Sequence, residues 1–127
     1  MIRKCLVLSA ALLCMGVGPL AAQAGPSATE RLSRYLRELA SDPTSVNALV
    51  GAGQAALDVG DGNAALGFFA RADERSPRNG GVKAGLARAL LMLDNHREAL
   101  RQFEAARALG VPDLQVARDR GLAHDLN

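Results

Sequence analysis

The stretch "VGAGQAALDVGDG", residues 50–62, has two incompatible readings, and the choice between them decides the fold. Gly51, Gly53 and Ala56 spell G-x-G-x-x-A, directly after the apolar "NALV" of 47–50. As a strand-to-helix turn, those glycines would let backbone N–H groups approach a dinucleotide's pyrophosphate. As a helix interior, they would only let neighbouring side chains come close. The turn needs a strand before it, a helix after it, and an acidic residue about 20 positions on, at the end of a second strand. Asp73 and Glu74 lie near that distance, but inside a stretch with helical periodicity. A lone G-x-G-x-x-A is weak evidence, so the surrounding pattern has to arbitrate.

Sliding the chain on itself by 34 residues supplies that pattern. Gly53 falls on Ala87, Ala65 on Ala99, Leu66 on Leu100, Phe69 on Phe103 and Ala72 on Ala106. Backwards, Leu32 falls on Leu66, Tyr35 on Phe69 and Pro43 on Pro77; forwards, Ala87 falls on Gly121. Each period holds two stretches with apolar residues three and four apart, the mark of amphipathic helices. The spacing predicts helices over 46–59 and 62–75, then over 80–93 and 96–109. Asp61 and Asn95 stand where side-chain oxygens can cap free helix N–H groups, and Asn95 with Glu98 loosely resembles a capping box. Gly60 and Gly110 stand where a left-handed residue closes a helix. Pro77 stops the second helix of its pair. Gly53 and Ala65, then Ala87 and Ala99, mark close approach within each pair. Ala72 and Ala106 leave room for the next helix, and Phe69 and Phe103 fill the space between layers. A single pair cannot bury its apolar face; stacked pairs can.

This set of residues resembles the tetratricopeptide repeat (TPR) family. Leu49, Gly53, Ala65, Phe69, Ala72 and Pro77 occupy the family's apolar, small, aromatic and proline positions. Leu86, Ala87, Ala99, Phe103 and Ala106 do so again in a second repeat. The resemblance implies an all-α fold: an antiparallel helix-pair solenoid forming a right-handed superhelix of about two and a half repeats. Repeat one would span 46–79 and repeat two 80–113, with 114–127 forming helix A of a partial third. Lys83, where a large apolar residue is usual, and Val111, with the proline one residue late at Pro112, depart from the pattern and are expected to loosen outer contacts. The motif's glycines then sit mid-helix, which disfavours a nucleotide-binding enzyme.

Residues 25–45 read as an N-terminal capping helix and turn. Ser27 and Glu30 form a capping box. Leu32, Tyr35, Leu36 and Leu39 make an apolar face, and Arg31, Arg34, Arg37 and Glu38 a solvated one. Before it, Arg3 and Lys4 precede an uncharged apolar run from Cys5 to Gly18, then Pro19 and the small residues Ala22 and Ala24. That is the pattern of a secretory signal peptide over 1–24, cleaved after Ala24. The run is shorter than the roughly 20 residues a membrane span needs, so no transmembrane span is expected in the mature chain. Cys14 offers a rival, a lipoprotein modified at the cysteine, although Leu13 before it is bulky. Both cysteines of the chain lie in this segment, so a mature protein has no thiol for a disulfide or metal.

The whole chain has 15 basic and 13 acidic residues. Removing Arg3 and Lys4 balances the charges, and no basic cluster suggests nucleic acid. His96 and His124 have no Cys and no second His three or four residues away, so neither reads as a metal ligand. No catalytic set and no cofactor site emerge. What the TPR resemblance implies is a groove lined by helices A that binds a peptide or helix of a protein partner: Asn47, Val50, Gln54, Leu57 and Asp58 in repeat one, Gly81, Ala84, Arg88, Leu91 and Met92 in repeat two, then Gln115 and Arg118. Arg88 with Arg118 would grip a carboxylate bidentately; Leu57, Leu91 and Met92 pack or dock. The terminal helix offers an edge for self-association. The expected role is a non-catalytic interaction scaffold exported to the periplasm of the bacterial cell envelope. The rival is an envelope-tethered structural module, held by a lipid at the outer membrane or by peptidoglycan. More narrowly, "ASDPTSVNALVGAGQAALDVGD" and "ALGVPDLQVARDRGLAHDLN" look similar to proteobacterial secreted TPR proteins of Tad/Flp pilus assembly or of the SPOR-associated type.

Overall fold

The computed structural model describes residues 25–112. Five helices follow one another: α1 (Ala28–Ser41), α2 (Val46–Val59), α3 (Gly62–Arg75), α4 (Gly80–Met92) and α5 (His96–Ala108). No strand occurs among the described residues. Ala48–Val50 belong to α2, and Gly51, Gly53 and Ala56 lie in its interior. Asp73 and Glu74 lie on α3. The G-x-G-x-x-A stretch is therefore helix, and the strand–turn–helix that a dinucleotide turn requires is not there. The expected leader over 1–24 and the third helix A over 114–127, with Arg118, Gly121 and His124, lie outside the described residues.

Every helix starts on a short polar side chain. Ser27, Ser45, Asp61, Asn79 and Asn95 each accept the N–H of the residue three positions on. This satisfies one of the donors a helix start leaves without a partner. Ser27 makes a full capping box: its own N–H donates to Glu30 Oε2 at 2.7 Å. Asn95 makes only half of one. Glu98 Oε1 accepts from Gln102 at 2.9 Å, and the same carboxylate pairs with Arg101.

The helices stop in two ways. After α1 and α3 comes a residue kept out of the helical region by the proline that follows it: Asp42 at φ −134, ψ 91 before Pro43, and Ser76 at φ −142, ψ 70 before Pro77. The proline ring denies that residue the helical region. After α2, α4 and α5 comes a left-handed residue: Gly60 (φ 90), Asp94 (φ 57) and Gly110 (φ 92). Behind it the chain donates back across the last turn, from Asp61 to Ala56 O at 2.9 Å, from Asn95 to Leu90 O at 2.9 Å, and from Val111 to Ala106 O at 3.2 Å. These are Schellman closures, which satisfy carbonyls at the helix end.

Consecutive helices pack against each other, and α2 also touches α4. This makes α2 and α4 an inner row, with α1, α3 and α5 alternating outside, a TPR-like helical solenoid. Alanines carry the contacts: Ala48, Ala52, Ala56, Ala65, Ala72, Ala87, Ala89, Ala99 and Ala106 are completely buried. Gly53 works differently from a mere helix-contact point. A Cβ there would lie 2.8 Å from the Phe69 ring, and one at Gly85 on α4 would also lie within 3.0 Å of that ring. Phe69, 2% exposed, thus projects from α3 between two helices whose missing side chains make its seat. One period earlier the Tyr35 ring of α1 rests against Gly51 in the same way. Tyr35 and Phe69, like Gly51 and Gly85, are 34 residues apart.

Three expectations need correction. Leu36 does not join the apolar face of α1; it is 45% exposed, because among the described residues α1 packs on α2 alone where α3 has both α2 and α4. Arg31 is not simply solvated, since its guanidinium reaches Asp58 on α2. The two departures from the repeat pattern do not loosen their surroundings either. Lys83 Nζ donates to Asp73 Oδ2 of α3 at 2.8 Å, and Val111 packs on the buried cluster of Ala87, Leu90, Ala99 and Phe103.

Candidate binding face

On α2, residues 47, 50, 54 and 57 recur at helical spacing along one stripe, and 81, 84, 88 and 91 do the same on α4. The two helices touch each other. Along them, Asn47, Asp58, Gly81 and Met92 are exposed, while Val50, Gln54, Leu57, Arg88 and Leu91 are half-buried. Ala84, at 6% exposure, belongs to the core and not to a groove lining. Val50 and Leu57 lean on the larger buried cluster around Phe69, and Leu91 leans on that around Phe103. These three pack, leaving one side of each to solvent. Met92 is the apolar side chain of the stripe that faces outward, 43% exposed.

The polar members are engaged with one another. Asp58 accepts Arg31 Nη2 on one oxygen at 2.8 Å and Gln54 Nε2 on the other at 3.2 Å. The carboxylate thus has a partner on each oxygen, and Gln54 holds a side chain of its own helix. Arg88 is likewise engaged in a contact of its own. The pairing of Arg88 with Arg118 falls outside the described residues. Gln54 and Asp58, both expected on the groove side of α2, hydrogen-bond to each other, but nothing local could name Arg31, 27 residues earlier, as their neighbour.

A hollow of about 400 Å³ lies at the α4–α5 turn, lined by Asp94, Asn95, His96, Arg97, Glu98 and Arg101. His96 sits there half-buried, with Nδ1 enclosed and without a hydrogen-bond partner. Among the described residues, no group of three or more His, Cys, Asp or Glu side chains is placed to hold a metal. Among them too, no helix is long and apolar enough to cross a membrane. On α1, Arg34 lies over the Tyr35 ring, 4.8 Å from its centre. At the α1–α2 turn, Asp42 accepts both the hydroxyl and the N–H of Thr44, at 2.8 and 3.1 Å. The hydroxyl bond first, and then the backbone bond, hold its carboxyl below the usual range.

Antiparallel helix pairs stacked on buried alanines and interlayer rings define the class: a helical-repeat module, an architecture whose extended surfaces typically serve contact with other proteins. A family model, the tetratricopeptide repeat, matches residues 56–118. The match runs from the last turn of α2 through α5 and supports the TPR family. TPR units act typically as non-catalytic scaffolds for protein–protein interaction. None of the curated proteins compared with the chain matches it. The narrower likeness to Tad/Flp or SPOR-associated proteins finds no support in these comparisons.

Proposed function

We propose that this chain is an exported, non-catalytic scaffold of the bacterial cell envelope that binds a segment of another protein along the shared face of α2 and α4. The observation that carries the reading is that face itself. It combines half-buried apolar side chains (Val50, Leu57 and Leu91) with an outward Met92 and the small Gly81, which lets a partner backbone approach. An extended peptide or an amphipathic helix docks on such a stripe by placing side chains between the half-exposed ones. Export is supported by Arg3 and Lys4 ahead of the uncharged run 5–18 and the small residues at 22 and 24.

Site-specific photo-crosslinkers test the binding face. Placed at Asn47, Leu91 or Met92, they are expected to capture a protein that a crosslinker at Gly67, on the exposed side of α3, does not. Equal capture from Gly67 refutes the assignment. Cell fractionation with N-terminal sequencing tests export, and an unprocessed cytoplasmic chain refutes it. A second reading, tethering to the membrane through a lipid, rests on Cys14 within the apolar run. An intact mass lacking a lipid increment removes it.

A further inference from the structure

Asn79 and Gly80, at the α3–α4 turn, are the chain's only Asn-Gly pair; Asn47 and Asn63 precede alanine, and Asn95 precedes histidine. The backbone nitrogen after an asparagine can attack the side-chain amide carbon, and a side chain on the following residue hinders that approach. Glycine has none. Here the glycine is fixed by packing: a Cβ on Gly80 would lie 2.7 Å from Val111 Cγ2 and 3.2 Å from Ala106 O. Gly80 is also the first residue of α4, so its N–H is among the donors that a helix start leaves without an intrahelical acceptor. The attacking nitrogen is thus neither crowded by a side chain of its own nor engaged in the helix ladder.

We propose that Asn79 is a site of spontaneous covalent modification, at which the side-chain amide is lost as ammonia. Gly80 N bonds to Asn79 Cγ, the Cγ–Nδ2 bond breaks, and the Gly80 amide proton leaves with the ammonia. Water then opens the cyclic imide. Breaking the N–Cγ bond gives an ordinary aspartate; breaking the bond from N to the Asn79 main-chain carbonyl carbon gives a β-linked one. The fold restrains the first step. Asn79 Oδ1 accepts the Val82 N–H at 3.3 Å, and Asn79 N–H donates to Ser76 O at 3.2 Å. Closing the ring takes the residue out of this capping conformation, at φ −96, ψ 106. The products leave different helix starts. Aspartate keeps a cap oxygen, as Asp61 does ahead of Gly62. It also brings a negative charge to a first turn that has no acidic residue, a favourable place for one. The β-linked form lengthens the main chain at the turn and displaces the cap.

The test incubates the full chain in mildly alkaline buffer, folded and in guanidinium chloride, and maps both samples over time by trypsin digestion and mass spectrometry. Cleavage after Arg78 and Lys83 isolates residues 79–83. In the folded chain that peptide is expected to convert to a normal and a β-linked product of equal mass, resolved by chromatography, while Asn47, Asn63 and Asn95 stay intact. Denaturant should speed the conversion by about fivefold, the factor that loss of an N-cap implies. A folded chain still unchanged at Asn79 long after the denatured sample has converted overturns the inference. So do equal rates in the two samples, which would deny the cap its restraint, and conversion of folded Asn95 as fast as that of Asn79.

Discussion

The seat of Phe69 makes a quantitative test of the packing. Gly85→Ala adds one methyl group, and its carbon would meet Cε1, Cζ and Cδ1 of the ring, all within 3.0 Å. The ring cannot swing away, because its other edge lies against Gly53, where an added Cβ would stand 2.8 Å off. Overpacking of this sort costs about 1–3 kcal/mol. The same substitution removes a glycine from a helix interior, which stabilises by about 1 kcal/mol. Measured alone, Gly85→Ala thus mixes two terms of opposite sign. Gly67→Ala separates them. Gly67 is also in a helix interior, but nothing lies within 4 Å of its would-be Cβ, so it reports the backbone term alone. Gly67→Ala should raise stability by about 1 kcal/mol, and Gly85→Ala should fall below it by the steric cost of about 1–3 kcal/mol. In a domain of this size each kcal/mol moves Tm by about 4–8 °C. Urea titrations followed by far-UV circular dichroism, with unchanged slopes, give both values. If the two variants shift the midpoint equally, Phe69 is not wedged between α2 and α4 and the account of the interlayer contact fails.

Three further outcomes follow from particular contacts. Asp94 holds the left-handed position that glycine holds after α2 and α5, so Asp94→Gly should stabilise by about 0.5–1 kcal/mol after the entropy of the unfolded glycine is counted; a loss in the urea midpoint contradicts the closure described. Lys83→Met strands the half-buried Asp73 carboxylate and should cost about 1–2 kcal/mol. Adding Asp73→Leu should restore most of that, and a double-mutant cycle with no coupling would dismiss the pair. For Asp42 the folded-state pKa is depressed by Thr44. Its contribution is therefore present above the ordinary aspartate pKa and lost as pH falls through the lower folded value. Thr44→Val should move the Asp42 titration upward by NMR while leaving the backbone bond in place, and an unmoved titration refutes the hydroxyl as the main cause.

The legibility of the chain followed the range of each interaction. The starts at Ser27, Asp61 and Asn95 and the stops at Gly60, Pro77 and Gly110 were readable because the cap, the proline and the left-handed glycine act within four residues, whereas Ser45, Asn79 and the left-handed Asp94 were not singled out. The repeat was readable because Ala65, Phe69 and Ala72 return at Ala99, Phe103 and Ala106, and burial preserves such identities. The seats at Gly51 and Gly85 were visible at the same offset but were masked by a motif that offered a competing meaning for Gly51. Leu36 was misplaced for a different reason: an amphipathic pattern gives the direction of a face but not how many neighbours will cover it. The ion pair of Arg31 with Asp58 was out of reach, since a contact 27 residues apart leaves no periodic trace. The binding stripe was legible as a set of positions. Which of its side chains remain available was not, because that depends on pairs formed across helices.

The two kinds of helix stop also explain how one sequence pattern tolerates its own irregularity. Between α1 and α2, and between α3 and α4, four residues suffice: the residue before proline, kept out of the helical region, turns the chain. Ser45 N–H and Asn79 N–H then donate to Asp42 O and Ser76 O at 3.3 and 3.2 Å, bringing the next cap into place. After α5 the proline comes one residue late. Gly110 takes the turn instead, and Val111 enters where the earlier turns have a proline ring. A Cβ on Gly80 would lie 2.7 Å from Val111 Cγ2 and 3.2 Å from Ala106 O. The first turn of α4 therefore lacks a side chain where the altered exit crosses it. Shifting the proline without Gly110 would remove the left-handed closure, and without Gly80 it would set Val111 against a methyl group. The departure at Val111 is thus matched by two glycines, one giving the angle and one giving the space, and the Phe103 cluster stays closed where the repeat pattern breaks.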